Sequence, residues 1–216
     1  MRLKEIIETG STIIITAIAV VMAGVFVVER RGNPQVATYE TAQTIEEWQR
    51  ENDLGVRTGP SDATVVITEF IDYQCPFCAA LAPTIDSISS MFPDEVAVVM
   101  HHFPLPTHGH AVPAAIAAEC AAEQDRFWPM HGVLLSNQSS FGTRPWQSFA
   151  EDAGVGDLGA FTDCMERPAD SFERIELGRA VGERTGVTGT PTTWVNGRVL
   201  RATVDQVRDL LERLDG

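Results

Sequence analysis

Two of the four cysteines in this chain are separated by only two residues, and thiols at that spacing can do covalent chemistry. Cys75 and Cys78 enclose a Pro-Phe dipeptide. Their sulfurs can approach within bonding distance across one helical turn, so the pair can cycle between a dithiol and a disulfide. The other two cysteines, Cys120 and Cys164, stand singly. We therefore expect redox chemistry at the first pair.

Half of a zinc site is the alternative interpretation of the same pair. Such a site needs two further ligands at suitable spacing, and the sequence has no second pair of closely spaced cysteines. Four of the five histidines do cluster after the second predicted strand: His101, His102, His108 and His110. We interpret these histidines as strand-end and loop residues and predict no metal, with zinc binding as the less favoured alternative.

The position of the motif between a strand and a helix predicts which thiol attacks. Residues 64–71, TVVITEFI, form a β-branched apolar run typical of a strand buried on both faces, and a helix is predicted from Cys75 to about Met91. Cys75 then lies at or beside the helix N-terminus, where unpaired N–H groups and the dipole stabilise a thiolate. Pro76 fits the first turn because it has no N–H. We predict that Cys75 attacks and that Cys78, one turn further in, is the shielded resolving thiol.

An acidic residue interrupts the apolar strand that precedes the motif. Glu69 lies six residues before Cys75. An unpaired carboxylate in such a strand is costly, and burial would raise its pKa. Because buried acids of this kind often transfer protons, we predict a catalytic role for Glu69. The alternative is that Glu69 points to a solvated end of the sheet, and Asp72, nearer the loop, is expected to be exposed.

The order of predicted elements indicates an α/β fold. A second apolar run, residues 95–103, makes a right-handed βαβ unit with the first strand and the helix. The chain is then mainly helical between about residues 110 and 185. Asn196-Gly197 separates two short strands and suits a type I′ hairpin turn. A last helix, about residues 204–214, carries an apolar face of Val207, Leu210, Leu211 and Leu214.

A proline lies just before the hairpin, in the dipeptide Thr190-Pro191. Proline at this position suits a tight turn. A cis peptide bond here would leave the neighbouring backbone free to pair with a bound peptide. An ordinary trans turn is the alternative.

The two single cysteines both fall in the predicted helical segment. Cys120 and Cys164 are forty-four positions apart. A disulfide between them would stabilise the segment by about 3–4 kcal/mol in the chain-entropy picture, and it is favoured if the domain lies outside the cytoplasm. Two buried free thiols are the alternative.

The start of the chain has the features of a membrane anchor. Nineteen residues without a charge, 10–28, would span about 28 Å as a helix, enough to cross a bilayer. We predict an uncleaved anchor over residues 1–31, with a cleaved signal peptide as the alternative. Residues 32–60 are predicted to be a polar linker with one short amphipathic helix, in which Ile45 and Trp48 share a face. This helix either sets the distance from the membrane or packs against the domain.

The charge of the chain argues against one class of partner. Thirty acidic and sixteen basic residues give a net charge of −14. Proteins that bind nucleic acid neutralise phosphates with lysine and arginine, and this composition lacks that excess. We therefore predict no nucleic-acid partner.

Three segments together resemble the DsbA-like disulfide oxidoreductases of the thioredoxin fold: TEFIDYQCPFC, HHFPLPTHGHAVPAAIAAECAAEQDRFWPMH and GVTGTPTTWVNG. The resemblance covers about residues 61–216. It implies a thioredoxin-like domain with a helical domain, about residues 108–186, inserted after the second core strand. It also implies a cis-proline at Pro191 facing the active site, and it matches Glu69 to the buried acid of the family.

The resemblance further implies how the four cysteines are used. Cys75 and Cys78 would form the catalytic disulfide, with no other cofactor. Cys120 and Cys164 resemble the second cysteine pair of some relatives, which implies a structural bridge. Pro76, Phe77, Thr190 and Pro191 are expected to contact a substrate peptide.

The function implied is that of an enzyme that introduces disulfides into exported proteins. Its partners would be unfolded exported proteins with free thiols, a quinone-linked membrane reoxidant of the DsbB or VKOR type, and membrane lipid around residues 10–28. The N-terminus would lie in the cytoplasm and the catalytic domain outside it. The Pro-Phe dipeptide departs from the Pro-His of strong oxidants, so a reductase or isomerase is the alternative. A membrane-tethered binding module is less favoured.

Overall fold

A five-stranded mixed sheet carries the helices of this domain. The computed structural model describes residues 42–214. The strand order is β1-β3-β2-β4-β5, in which β2 and β3 are parallel and the other neighbours are antiparallel. The strands are β1 (Val56–Thr58), β2 (Val65–Ile71), β3 (Val96–His102), β4 (Thr192–Val195) and β5 (Arg198–Val199).

Helices cover both faces of the sheet. They are α1 (Trp48–Asn52), α2 (Pro76–Met91), α3 (Ala111–Ala122), α4 (Phe127–Ser136), α5 (Trp146–Asp152), α6 (Leu158–Met165), α7 (Glu173–Thr185) and α8 (Val204–Leu214), with 3₁₀ turns at Gln138–Ser140 and Ala169–Ser171. Every residue of β2 and β3 is buried, as their unbroken apolar runs predict. The predicted βαβ unit is therefore present as β2, α2 and β3.

The two faces of β2 contact different parts of the chain. Glu69 faces α2, where it shares a cavity with Ala82 and Ile85. The neighbouring side chain, Phe70, lies on the opposite face in a cluster with Ile45, Val181, Val187 and Trp194. This alternation follows from the period of two along a strand, and it puts the acid of β2 on the same side as the cysteine-bearing helix.

The helical insertion runs from α3 through α7, within the predicted range of about 108–186. A chain of polar groups, of which His102 and Glu119 are buried, joins it to the sheet. His102 Nε2, at the end of β3, lies 2.8 Å from Glu119 Oε1 on α3, and Arg174 Nη2 on α7 lies 2.6 Å from Glu119 Oε2. Gly178 of α7 packs so closely on β3 that a Cβ there would lie 2.4 Å from the carbonyl oxygen of His102. The insertion is thereby held firmly beside the end of β3.

A disulfide links two helices of the insertion. Cys120 of α3 and Cys164 of α6 are bonded, with their Cα atoms 5.7 Å apart, and both residues are buried. The bridge closes a loop with a sequence separation of 44 residues, which limits the freedom of the unfolded chain.

Replacing both bridging cysteines by alanine is expected to lower the free energy of unfolding by about 4 kcal/mol, because the unfolded state regains the freedom that the closed loop removes. Urea denaturation without reductant measures this loss. The control repeats the measurement with reductant, where the wild-type protein and the variant should converge. Equal stability of the two proteins without reductant would contradict the prediction.

Residues 42–60 belong to the domain rather than to a separate linker. The main-chain N–H of Ile45 donates to the carbonyl oxygen of Gly197 (2.7 Å), and the ring of Trp48 covers the same glycine so closely that a Cβ there would lie 2.2 Å from it. Strand β1 extends one edge of the sheet by pairing with β3. The predicted amphipathic helix is only the five residues of α1, and Ile45 precedes it.

The C-terminal elements also differ in one detail from the sequence prediction. Asn196 and Gly197 both have positive φ, 46° and 74°, as a type I′ turn requires. Helix α8 has the predicted bounds and buries Val207, Leu210 and Leu211, but Leu214 is 53% exposed because the helix ends there beyond the edge of the core.

Between residues 42 and 214 the structure has no helix that is both long and apolar enough for a membrane span. The predicted anchor, residues 1–31, and its apolar segment, residues 10–28, lie outside the described part of the chain.

Candidate active site

Cys75 and Cys78 lie where the end of β2 leads into α2. Cys75 is the N-cap residue, with extended backbone (φ −75°, ψ 119°), and its carbonyl oxygen accepts from the N–H groups of Cys78 and Ala79. Pro76 opens the helix, as expected. Both cysteines are free thiols, so the structure is that of the reduced pair. Cys75 thus lies at the end of the helix where the first backbone N–H groups have no intrahelical partner.

The two thiols differ in their surroundings. Burial raises the pKa of the Cys78 thiol well above its usual range, and hydrogen bonds from the Asp72 backbone and the Thr190 side chain offset only part of this effect. Cys78 therefore keeps its proton at neutral pH. Only a thiolate attacks a disulfide, so this difference fits an attacking Cys75 and a protonated Cys78.

The Thr190-Pro191 loop lies directly against the attacking thiol. The peptide bond between these residues is cis. The Cys75 Sγ donates to the carbonyl oxygen of Thr190 at 3.2 Å. The loop and the cysteine thus form one contiguous site.

An open groove begins beside the cysteines. The ring of Phe77, 71% exposed, forms part of its wall, with Leu81 of α2 on the same side and Pro191 and Leu200 opposite. The groove has a volume of about 370 Å³ and is lined mainly by carbon atoms, with Arg201 as its charged member. A cleft of this size and character can receive an apolar side chain of a peptide.

Asp72 is buried, which corrects the expectation that it is exposed. Only 1% of the residue is accessible. Its Oδ1 accepts from the N–H of Gln74 (2.7 Å), and its Oδ2 accepts from the N–H of Leu105 (2.8 Å) and lies 2.7 Å from His108 Nδ1. An acid at the end of a buried strand satisfies the free N–H groups of two loops in this way. Asp72 thereby fixes the turn that leads to Cys75.

Gln138 supports the same turn from the insertion, although it belongs to no motif in the sequence. Its Nε2 donates to the carbonyl oxygens of Tyr73 and Cys75, both at 2.8 Å. From the other side, Gln74 Oε1 accepts from the N–H of His110 at 2.6 Å. The redox turn is therefore held on two sides by the helical insertion.

Glu69 lies inside the protein, not at a solvated end of the sheet. The residue is 2% exposed. Burial, with a smaller contribution from the negative charge of Asp86, raises the pKa of Glu69 to about 8. At neutral pH its carboxyl group is therefore mostly protonated and can donate a proton. Its Oε1 lies 3.8 Å from Nε2 of His131, a residue that the sequence did not single out.

The clustered histidines lie at the end of β3 and in the following loop. His101 and His102 are buried, His108 contacts Asp72, and His110 precedes α3 as its N-cap residue. Within residues 42–214 no three His, Cys, Asp or Glu side chains are grouped so that they could hold a metal ion.

The site combines two cysteines at the start of a helix with a cis-proline that faces them, on a mixed sheet with flanking helices. These features define a thioredoxin-type redox site. Residues 51–213 match the thioredoxin family, and the chain belongs to that family.

Solved structures with the same fold include thiol-disulfide exchange proteins. The thiol-disulfide exchange protein alpha-DsbA2 of Wolbachia pipientis is 19% identical, with a TM-score of 0.68 over 79% of this chain and 93% of that one. BdbD of Bacillus subtilis, in its oxidised form, is 20% identical, with a TM-score of 0.65 over 76% and 95%. A thioredoxin-like oxidoreductase of Silicibacter pomeroyi is 22% identical, with a TM-score of 0.63 over 79% and 98%. At these identities the likeness is one of fold.

Curated relatives at higher identity are much longer proteins. The Na(+)/H(+) antiporter NhaA of Herminiimonas arsenicoxydans is 33% identical over 147 residues, which are 68% of this chain and 23% of the antiporter. The antiporter NhaA 3 of Salinispora tropica is 35% identical over 141 residues, 65% of this chain and 21% of that protein. This chain therefore spans less than a quarter of the length of these relatives.

Proposed function

We propose that this protein is a thiol:disulfide oxidoreductase that introduces disulfides into exported proteins through Cys75 and Cys78. One observation carries the proposal: Cys75 caps the N-terminus of α2 with its sulfur 3.2 Å from the carbonyl oxygen of Thr190, and Cys78 lies buried one turn further along. A thiolate at this helix end is stabilised, which favours the reduced pair and makes the disulfide easy to give away.

The exchange proceeds in two displacements. A substrate thiolate attacks the Cys75 sulfur of the enzyme disulfide, and Cys78 leaves as a thiolate and takes up a proton. A second substrate thiolate then attacks the substrate sulfur of the mixed disulfide, and Cys75 leaves as a thiolate. The substrate gains a disulfide and loses two electrons, which reduce the enzyme pair. Because burial raises the pKa of Cys78, its protonation draws the first step forward.

The groove beside the cysteines supports an unfolded polypeptide as substrate. The Cys75 sulfur, where attack occurs, is surrounded by Pro76, Phe77, Thr190 and Pro191. The wall of the groove beside it is mainly apolar. Apolar side chains are accessible in unfolded proteins and buried in folded ones, so such a groove selects chains that have not yet folded.

Return of the enzyme to its disulfide form requires an electron acceptor. We infer a quinone-linked membrane partner of the DsbB or VKOR type, reached from an extracytoplasmic domain tethered by residues 10–28. The disulfide between Cys120 and Cys164 supports a location outside the cytoplasm, where such bonds persist.

A reductase or isomerase with the same exchange chemistry is the second candidate. It is favoured by Phe77, which supplies no positive charge between the cysteines to stabilise the Cys75 thiolate further. A reductase differs from the oxidase in the direction of electron flow, whereas an isomerase transfers no net electrons to its substrate.

A disulfide-transfer assay tests the proposed direction. The full-length protein, oxidised at Cys75 and Cys78, is mixed with a reduced, unfolded test protein that has one native disulfide. We expect the test protein to gain that disulfide while the Cys75–Cys78 peptide gains two alkylatable thiols, as read by mass spectrometry.

The Cys120→Ala/Cys164→Ala variant is the matched control and should transfer its disulfide equally well. Reduction of an oxidised test protein by the reduced enzyme, without the forward transfer, would support the reductase instead. One bound zinc per chain with no exchange in either direction would indicate a binding module.

A further inference from the structure

A buried imidazole lies beside the buried acid, and the exchange chemistry described above assigns it no task. His131 of α4 is 9% exposed. Its Nε2 lies 3.8 Å from Glu69 Oε1, and its Nδ1 lies 3.1 Å from the hydroxyl oxygen of Tyr73, a residue that is 1% exposed. Tyr73, His131 and Glu69 thus form a chain of polar groups beneath the redox turn.

The contact with Tyr73 links the tautomer of His131 to the direction of one hydrogen bond. Burial lowers the pKa of His131 to about 3, so at neutral pH the ring holds a single N–H. Burial also raises the pKa of Tyr73, which therefore keeps its proton. Among residues 42–214, His131 Nδ1 is the hydrogen-bond partner of that hydroxyl. If Tyr73 donates to Nδ1, the hydrogen of the ring is on Nε2, the nitrogen that faces Glu69.

A cavity connects this chain of groups with the protein surface. Glu69 and His131 line it at the buried end, and the exposed residue Asp86 lines it as well. Its volume of about 220 Å³ has room for several water molecules at about 30 Å³ each. Ala82 also lines the cavity and lies one helical turn after Cys78, on the same face of α2. The cavity therefore lies along the face of α2 that carries Cys78.

We propose that His131 is a positioning residue for Glu69: its Nε2–H stabilises the carboxylate that forms when Glu69 releases its proton, and Tyr73 holds the ring in the required tautomer. This inference rests on the proposed function, in which the departing Cys78 thiolate takes up a proton. That proton leaves the Glu69 carboxyl group and forms the Cys78 thiol. Water from the cavity mouth then returns a proton to Glu69.

Other ionisable groups act on the same chain from each side. Asp86 on α2 opposes ionisation of Glu69 through its negative charge. Behind the imidazole, His102 of β3 acts on His131, and Glu119 of α3 acts on Tyr73. Of these groups, His131 has its ring nitrogen Nε2 3.8 Å from Glu69 Oε1.

The test reads the ionisation of Glu69 directly. The full-length reduced protein, labelled with ¹³C at glutamate carboxyl groups, is titrated by NMR, and Glu69→Gln assigns the signal. We expect His131→Leu to raise the midpoint by about one pH unit, a tenfold change in the ionisation constant, because the carboxylate loses its N–H donor. His131→Gln, which keeps an N–H at a similar reach, should recover much of that shift.

Two further variants separate this role from a general loss of packing. Tyr73→Phe removes the hydroxyl that holds His131 in one tautomer, and it should also raise the titration midpoint of Glu69. If His131→Leu does not fold, the midpoint in Tyr73→Phe tests the inference. Asp86→Asn removes a negative charge and should lower the midpoint.

An unchanged or lowered midpoint in both His131→Leu and Tyr73→Phe overturns the inference. Because the midpoint is measured on the reduced protein alone, it is independent of disulfide transfer. If the variants shift the Glu69 midpoint as predicted but the wild-type protein fails the disulfide-transfer assay, the proposed function is overturned instead. The ionisation of Glu69 would then serve no exchange reaction.

Discussion

Cys75→Ser is expected to abolish the formation of mixed disulfides, whereas Cys78→Ser is expected to accumulate them. In Cys78→Ser the attacking thiol remains at the helix cap and no resolving thiol releases its partner. In Cys75→Ser the remaining thiol, Cys78, is buried, and its raised pKa leaves little thiolate. Its reaction with a disulfide should therefore be slower than that of Cys75 on the order of 10³-fold. Mass spectrometry after incubation with a disulfide-containing peptide measures both rates.

The double variant Cys75→Ser/Cys78→Ser is the control and should carry no adduct, because the bridge between Cys120 and Cys164 is buried. The assigned roles predict that the Cys78→Ser variant forms adducts much faster than the Cys75→Ser variant. Equal rates of adduct formation in the two variants would contradict these roles.

The second large effect concerns stability and pH. Glu69→Gln is expected to be more stable than the wild-type protein at alkaline pH by an amount on the order of 4–5 kcal/mol, and similar to it below pH 4.5. The folded state keeps the Glu69 proton up to about pH 8, while the unfolded state releases it near the ordinary value of 4.5. Stability of the wild-type protein therefore falls as pH rises between these values, and glutamine has no such proton to lose.

Urea denaturation of both proteins at a series of pH values measures this difference. His131 contributes a separate pH dependence: its lowered pKa makes the fold less stable as pH falls below 6.5. Glu95→Gln, at an exposed position, is the matched control for the loss of one carboxyl group. A difference between Glu69→Gln and the wild-type protein that does not change with pH would show that the Glu69 carboxyl group ionises freely in the folded state.

The central elements of the fold can be predicted from local patterns. The apolar runs of β2 and β3, the proline at the start of α2 and the Asn196-Gly197 turn each have a local physical cause that the sequence displays. Strand β1 has no such pattern, because three residues are too few to show alternation and its place is set by pairing with β3. The packing of residues 42–54 on the hairpin likewise depends on distant partners.

The same distinction applies to the candidate site. The two cysteines and Glu69 are visible because a close pair of thiols and an acid in an apolar strand are unusual in themselves. The supporting residues Gln138 and His131 are ordinary polar residues in helical segments, and only the folding of the insertion brings them beneath the redox turn. The burial of Asp72 is not predictable from local sequence, because its partners, Leu105 and His108, come from a loop more than thirty residues away.

The redox potential of the Cys75–Cys78 pair tests the proposed direction of exchange most directly. The full-length protein is equilibrated with graded glutathione mixtures, and alkylation followed by mass spectrometry of the peptide that contains both residues gives the reduced fraction. We expect a potential well above that of the glutathione pool, toward the value of about −120 mV for DsbA, as a donor of disulfides requires. A potential near the value of about −270 mV for thioredoxin would contradict the oxidase function and identify the protein as a reductant.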